Sequence, residues 1–402
     1  MKGQVSAMYD PLGLYLHIPF CLKKCAYCDF YSVTDHSLVD RYINALLLHM
    51  QDYSAPLISR EVDTVFIGGG TPTVLGKHGL TEILEGINEN FNVTEDAEIT
   101  VECNPATVTL SDLKALRRAG VNRLSIGLQS TDDHELEALS RIHTYDEFLE
   151  TYRNARKAGF DNINVDLMYG IPDQTPTSLA RTLLSVCDLQ PEHISLYNLI
   201  LEEGTPLYEK KDSLVLPEEA EEFKMYSDAV DYLESRGYRQ YEISNFAKEG
   251  CECRHNLKYW TLGEYLGLGP AAHSFLGGRR FSFKRDVCAY IDAMESPEDS
   301  ASPLDENYEI RSEERLGEYV MLRMRLNEGI DTRDFAETFG RDFEKMYGKY
   351  LKLYVENGFM THKGSRYAFT LKGMYVSNYI LSSMIDFEGG IADGIAEGTD
   401  KT

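Results

Sequence analysis

The chain has 402 residues, enough for two domains or three and for a large buried core. Its 65 acidic residues outnumber 40 basic ones, a formal net charge of −25, which argues against nucleic acid and against anionic membrane surfaces as partners. No apolar run approaches membrane-spanning length and residues 1–11 carry no apolar leader, so a cytoplasmic protein is expected.

In chain order, Leu14-Tyr15-Leu16-His17-Ile18 reads as a short strand whose ladder Pro19 ends. Cys21, Cys25 and Cys28 follow at spacing C-x3-C-x2-C, on a loop at a strand end. Cubane iron–sulfur clusters are held by thiolates, normally four. Three would leave one iron open to a small molecule. The competing reading is a zinc site that borrows His17 or Cys103 as fourth ligand. Zinc ribbons usually show two C-x2-C pairs, and the sequence has no second pair. The other cysteines, Cys103, Cys187, Cys251, Cys253 and Cys288, are scattered and fit free thiols in a reducing compartment.

An amphipathic helix is predicted over 38–53, with Ser37 as its cap. From there strands (64–67, 98–103, 123–127, 162–168 and 193–199) alternate with helices (79–90, 111–119, 133–139, 146–158 and 177–189). Helices after strands at this rhythm mean parallel β/α units. Six strands counted from Tyr15 predict an α/β fold, a partial (β/α)6 barrel of the TIM type. Such folds place their sites at the carboxyl ends of the strands, where the cysteine loop lies.

A further helix is predicted over 217–237, then a mixed region, and an acidic, weakly periodic linker near 296–314. Helices at 314–326, 332–339 and 343–357, a hairpin pairing 360–362 with 367–371, and a helix at 372–384 predict a small winged-helix-like α+β domain. Its third helix has no basic face, which favours a structural or docking role over DNA binding. The expected division is 1–237, 238–300, 301–386 and a Gly-rich acidic tail, 387–402, expected to be disordered.

Polar residues stand at the ends of otherwise apolar strands. Gly68-Gly69-Gly70-Thr71-Pro72 makes a tight strand-to-helix turn. Glu102, Gln129 and Asp166 end or nearly end the third, fourth and fifth strands, and Arg141 could pair with either carboxylate. A buried carboxylate needs a ligand, a cation or hydrogen-bond donors, so these residues are expected to share one pocket.

The cysteine spacing resembles the signature of the radical SAM superfamily. Tyr15-Leu-His-Ile-Pro-Phe-Cys21, Gly68-Gly-Gly-Thr-Pro-Thr73, Glu102-Cys-Asn-Pro105, Arg123-Leu-Ser-Ile-Gly-Leu-Gln129 and Asn164-Val-Asp-Leu-Met-Tyr-Gly-Ile-Pro172 are similar to the family of oxygen-independent coproporphyrinogen oxidases (HemN) and haem chaperones (HemW). The likeness spans about 13–384 and implies a radical SAM-type barrel. It implies a [4Fe-4S] cluster on Cys21, Cys25 and Cys28, with S-adenosylmethionine on the open iron. Contacts to that cofactor would come from Tyr15, Tyr27, Gly69, Gly70, Thr71, Glu102, Gln129, Arg141 and Asp166, with Ile200 a further candidate.

The oxidases continue their motif as C-x3-C-x2-C-x-C, but Phe30 stands where the last cysteine would be. They also carry an extra amino-terminal segment that this sequence lacks. Conversely, His255-Asn256-Leu257-Lys258-Tyr259-Trp260 is similar to the HNxxYW motif of the chaperones, which would make His255 a haem-iron ligand and Tyr259 and Trp260 a stacking surface. His273, Cys251 and Cys253 are further ligand candidates. The resemblance implies a chaperone that binds haem and passes it to an acceptor protein. The alternative is an enzyme converting the propionates of coproporphyrinogen III to vinyl groups.

Overall fold

The computed structural model describes residues 10–385, so the tail expectation for 387–402 lies outside the described residues. These divide into two units. The first comprises residues up to Arg239 with Ser244–Lys258 and Gly263–Tyr308; the second comprises Gln240–Ile243, Tyr259–Leu262 and residues from Glu309 on.

The first unit begins with β1 (Leu12–Ile18), α1 (Val39–Leu57), β2 (Glu61–Gly69), α2 (Gly76–Asn90), β3 (Asn92–Cys103), α3 (Leu110–Arg118) and β4 (Arg123–Gln129). It continues through α4 (Asp133–Ala138), α5 (Tyr145–Ala158), β5 (Ile163–Tyr169), α6 (Pro176–Asp188), β6 (His193–Asn198) and α7 (Glu219–Ser235). Threonines start three of these helices: the hydroxyls of Thr109, Thr144 and Thr175 each accept from the third backbone N–H, and their own backbone N–H groups donate to the side chain of that third residue. Ser37 is not the cap of α1. It sits in a 3-10 turn, His36–Leu38, capped by the Asp35 carboxylate, which accepts from the Ser37 N–H. An ionised carboxylate is the stronger acceptor there.

Strands β1 to β6 are neighbours in sequence order and pair in parallel. They are apolar and mostly buried, β4 along its whole length, as a sheet covered by helices requires. Side chains of period two point into one cavity: Arg123, Ser125 and Gly127 from β4, Asn164, Asp166 and Met168 from β5, and His193, Ser195 and Tyr197 from β6. Residues of β2 and β3 line the same cavity, so the sheet curls as a partial barrel.

Beyond α7 the chain adds to both edges. β7 (Arg239–Gln240) and β8 (Asn245–Ala247) extend the β6 side; after α8 (Arg254–Trp260), β9 (Tyr265–Leu268), β10 (His273–Leu276) and β11 (Arg279–Phe283) extend the β1 side. α9 (Val287–Glu295) and β12 (Leu304–Glu309) follow. β9 runs parallel to β1, pairing Gly13 with Tyr265 and Leu16 with Leu268. α9 is tied to α1 by the Tyr290 hydroxyl and His49 Nδ1, 2.9 Å apart, and by Arg41 with Glu295. Five strands of the 238–300 segment, β7 to β11, thus belong to the barrel sheet.

The second unit contains α10 (Ser312–Arg323), β13 (Ile330–Asp331), α11 (Thr332–Phe339), α12 (Phe343–Glu356), β14 (Met360–Lys363), β15 (Arg366–Phe369), α13 (Leu371–Tyr375) and α14 (Ser377–Met384). The expected hairpin is β14–β15, turning at Gly364-Ser365 with Gly364 at φ 63°. β13, too short for a sequence signal, pairs with β15 to make a three-stranded antiparallel sheet. The last expected helix is broken between Tyr375 and Ser377.

Phe335 is fully buried in this unit, with the rings of Phe339 and Phe343 each at 5.0 Å. Phe335→Ala should cost about 3–5 kcal/mol. The residues around the cysteine loop belong to the first unit, so iron uptake on anaerobic reconstitution should be unchanged in protein that stays folded. Calorimetry and iron assay check both; a lower iron content in folded variant would make the second unit part of the cysteine-loop support.

Candidate cofactor and substrate site

Cys21, Cys25 and Cys28 are free, half-buried thiols at the carboxyl end of β1. Their loop is held on three sides. Cys21 N–H donates to Val33 O at 3.0 Å, Ala26 N–H to Leu139 O at 3.2 Å, and Leu207 N–H to Ala26 O at 2.9 Å. Ala26 and Tyr27 also pack on Leu139, Met168, Ile171, Leu199 and Leu207. The loop's position is therefore set by β5, the residues after α4 and the chain beyond β6.

All three cysteines line a cavity of about 580 Å³ together with Tyr27, Gly69, Gly70, Thr71, Glu102, Gln129, Arg141 and Asp166. The pocket expected from the strand ends is thus one space. Burial, then the neighbouring Cys25 and Cys21 thiols, push the Cys28 thiol up to about 11. Three thiolates this close need a compensating positive centre.

Arg141 supplies a cation in contact with one of them. Its Nη1 donates to Cys25 Sγ at 3.5 Å, and its Nη2 to Asn104 Oδ1 at 2.9 Å and Gly127 O at 2.7 Å. Asn104 Nδ2 donates to the Thr71 hydroxyl at 2.9 Å, which donates to Cys21 Sγ at 3.5 Å. Arg141 therefore bridges the thiols to β3 and β4 instead of pairing with Glu102 or Asp166, as the sequence suggested it could. Its buried Nε–H has no protein partner among the described residues. An orphaned donor on a cavity wall suits an anionic ligand group. Sequence reasoning misses Asn104, although a polar side chain just past the end of β3 signals it.

The glycines are needed for close approach. A Cβ on Gly70 would lie 2.6 Å from Phe20 O and 2.8 Å from Ile18 O, and Gly69, at φ 107°, would drive one into the His17 ring. This lets Gly70 N–H reach Ile18 O and Thr71 N–H reach Phe20 O, at 2.8 and 2.7 Å, joining the turn to the cysteine loop. Gly69 N–H also donates to Glu102 Oε2 at 3.1 Å.

Glu102 is pushed up to about 8 by burial and by the Asp166 carboxylate. Burial raises Asp166 as well, against hydrogen bonds from Ser195, Asn164 and Ser125. Asn164 Nδ2 lies 2.7 Å from Asp166 Oδ1, and the Ser125 hydroxyl 3.1 Å from Oδ2. His193 Nδ1 is 2.6 Å from Asn164 Oδ1, so its N–H donates there. This polar floor was missed from sequence, although alternate polar residues along β4 to β6 signal it. Gln129 reaches the cavity through a backbone feature: φ is 73° and the β4–β5 register shifts between Gly127 and Gln129.

His17 is spent internally. Its Nε2–H donates to Tyr31 O at 2.9 Å and its Nδ1 accepts from the Tyr15 hydroxyl at 3.0 Å. Burial pushes it down to about 4, so it is neutral. Cys103 is buried, with Sγ 3.6 Å from Asn104 O. Of the two fourth ligands offered by the zinc reading, His17 is engaged, while Cys103 is a free thiol on the wall of the same cavity. Tyr15 therefore supports the loop base through His17, and Ile200 is 60% exposed and not on the cavity wall.

The three residues expected to hold haem share the helix α8, Arg254–Trp260. His255 is 1% exposed, stacked on Phe66 at 5.4 Å, with Nδ1 2.9 Å from the Thr64 hydroxyl and its backbone N–H donating to Glu98. The division of the chain falls within α8: His255 lies in the first unit, Tyr259 and Trp260 in the second. Cys253 is buried with its thiol 3.4 Å from Glu98 Oε1; Cys251 is half-buried, and His273 is exposed at the start of β10.

Residues 15–186 match the radical SAM superfamily and residues 310–376 the HemN C-terminal domain. The haem chaperone HemW of Bacillus subtilis (strain 168) is 37% identical over 375 residues, 92% of this chain and 98% of that protein. HemW of Escherichia coli (strain K12) is 34% identical over 381 residues, covering 92% and 97%. The structure of coproporphyrinogen III oxidase (HemN) from Escherichia coli, a radical SAM enzyme, superposes with a TM-score of 0.81 at 26% identity, covering 94% of this chain and 91% of that one.

Because Glu102 binds its proton more tightly when folded, the native state holds more protons than the unfolded chain between pH 4.5 and about 8. Its contribution to stability is therefore fully present at low pH and lost as pH rises through that window. Glu102→Gln removes the titration and keeps an acceptor for Gly69. Its Tm relative to the parent should rise steadily from pH 5 to pH 8 in scanning calorimetry of the metal-free protein. A difference independent of pH would place an ionised carboxylate at this position.

Proposed function

The chain belongs to the HemN/HemW family of the radical SAM superfamily, and from that premise we propose that it is a haem chaperone. In this reading it binds a [4Fe-4S] cluster, S-adenosylmethionine and haem, and passes haem to an acceptor protein. The observation that carries the first part is the convergence of three free thiols, the Arg141 guanidinium and an orphaned Arg141 donor on one cavity wall. Cys21, Cys25 and Cys28 would hold the cluster, with Thr71 and Arg141 directing hydrogen bonds at two of the sulfurs. When bound, the cluster supplies an iron to which a small amino acid-like ligand can attach. Around it Gly69, Gly70, Glu102, Gln129 and Asp166 line the space, and Tyr27 fixes one wall. The Glu102 carboxyl, pushed up to about 8, can donate as well as accept a hydrogen bond to such a ligand, and Asp166 faces the same space.

The oxidase reading is supported by the superposition on HemN. Against it stands Phe30, 66% exposed on the cavity rim, where the oxidase motif places its last cysteine. The similarity of 30–37% over nearly the whole chain to proteins named as HemW favours the chaperone.

Anaerobic reconstitution should yield about four irons and four sulfides per chain. Replacing Cys21, Cys25 or Cys28 by Ala should abolish the cluster, while Cys187→Ala and Cys288→Ala should keep it. The reduced protein should bind haem, release it to an apo-acceptor in an absorption assay, and leave coproporphyrinogen III unconverted. Protoporphyrinogen formed over many turnovers would replace the chaperone reading with the oxidase.

A further inference from the structure

The donors on Cys21 and Cys25 are side chains, Thr71 and Arg141. Cys28 has a backbone donor. Burial pushes its thiol up, and the Phe30 N–H, directed at the sulfur, works against that by favouring the thiolate. This N–H belongs to the peptide group between Asp29 and Phe30, whose carbonyl is Asp29 O. Arg285 Nη2 donates to that carbonyl and lies 3.5 Å from Asp29 Oδ1. In a planar trans peptide the C=O and the N–H point in opposite directions. By holding the carbonyl, Arg285 therefore also aims the amide hydrogen at Cys28.

Arg285 comes from 256 residues further along the chain, in the turn between β11 and α9. That turn is seated beside the cysteine loop by a second link. Val287 N–H donates to the Tyr31 hydroxyl at 2.8 Å, and Tyr31 O accepts from His17 Nε2 at 2.9 Å. Contacts at Asp29 and at Tyr31 thus fix the exit of the loop to the sheet extension, outside the six β/α units. A cation at the carbonyl end also polarises the peptide, because hydrogen bonds in series strengthen one another inside a protein. Lys24 is a useful contrast. It is an exposed cation whose charge also acts on Cys28, but it does not hold this peptide.

Hydrogen bonds to the sulfurs and nearby charge set the reduction potential of an iron–sulfur cluster, and both favour the more negative, reduced state. We propose that Arg285 is a positioning residue for the cluster: acting through the Asp29–Phe30 peptide, it strengthens the hydrogen bond to Cys28 and makes the cluster easier to reduce. The inference rests on the cluster part of the proposed function.

The full chain, reconstituted anaerobically and checked for iron content, is titrated with a low-potential reductant and followed by electron paramagnetic resonance. Arg285→Ala should lower the equilibrium constant for one-electron reduction about tenfold, a shift of about 59 mV to more negative potential. Arg285→Lys keeps the charge without the planar fork, and should lower the constant only about threefold. Lys24→Ala removes an exposed, salt-screened charge and leaves the peptide held, so it should change the constant less than about twofold. Equal shifts in Arg285→Ala and Lys24→Ala would reduce the effect to charge alone and overturn the assignment. So would the parent's potential in an Arg285→Ala protein of full iron content, and the cluster reading would then stand. If Arg285→Ala fails to take up iron, Arg285→Lys decides: the parent's potential there overturns the assignment. A parent chain that takes up no iron overturns the cluster reading itself, and the role of Arg285 with it.

Discussion

A guanidinium buried against thiols is the constraint on which the site's geometry depends. Arg141 spends its two terminal nitrogens on Gly127 O, Asn104 Oδ1 and Cys25 Sγ, which come from β4, the end of β3 and the cysteine loop, and these three partners set its position. Through Asn104 and Thr71 the same network reaches Cys21. Residues that are 120 apart in sequence, from Cys21 to Arg141, are thereby locked into one hydrogen-bonded chain. Each link is modest, about 1 kcal/mol net, but loss of any one strands a buried donor, which costs more than the bond contributes.

The barrel makes this arrangement possible because its strands point alternate residues inward. The inward rows grow less polar toward the loops in β5, from Asn164 through Asp166 to Met168, whereas β4 runs from Arg123 through Ser125 to Gly127 and the Gln129 bulge. Two acids, Glu102 and Asp166, face this common space, and the Asp166 carboxylate raises the proton affinity of Glu102 beyond what burial alone does. The outcome is a cavity whose charge near neutral pH is smaller than its count of carboxyl groups implies. That moderates repulsion of an anionic ligand by an otherwise acidic chain.

The sequence was legible wherever local chemistry decided the outcome. Capping threonines, apolar strands and the Gly-Gly-Gly turn located the six β/α units, and the polar strand-end residues Glu102, Gln129 and Asp166 line one cavity. It was silent where pairing across long separations decided. Nothing in Tyr265 to Leu268 announces that it will add to β1, because edge pairing depends on a backbone ladder more than on side chains. Gln129 at φ 73° is a tertiary outcome with no residue-type signal, since a glutamine in a strand is expected to be extended. His255 fits a ligand motif by type, but a histidine's role depends on what surrounds it: here Phe66, Thr64 and Glu98 claim it, and burial pushes it down to about 3.

Phe30 stands where the oxidase motif implied by the sequence resemblance would place its last cysteine, and the two side chains differ physically. A thiol there would be another soft donor beside the other three, able to compete for iron or to form a disulfide. A phenyl ring has no donor, cannot be oxidised in that way, and projects apolar area from the rim of a cavity lined with polar groups. The ring's 66% exposure shows that the fold does not use it for packing. Its neighbours on the loop, by contrast, are pinned: Ala26 by Leu139 and Leu207, and Cys28 N–H by Cys25 O at 3.3 Å. A rigid loop that presents one exposed aromatic pre-organises a contact surface, so a ligand meeting it has little loop order to impose, and the entropy already lost on folding need not be lost again on binding.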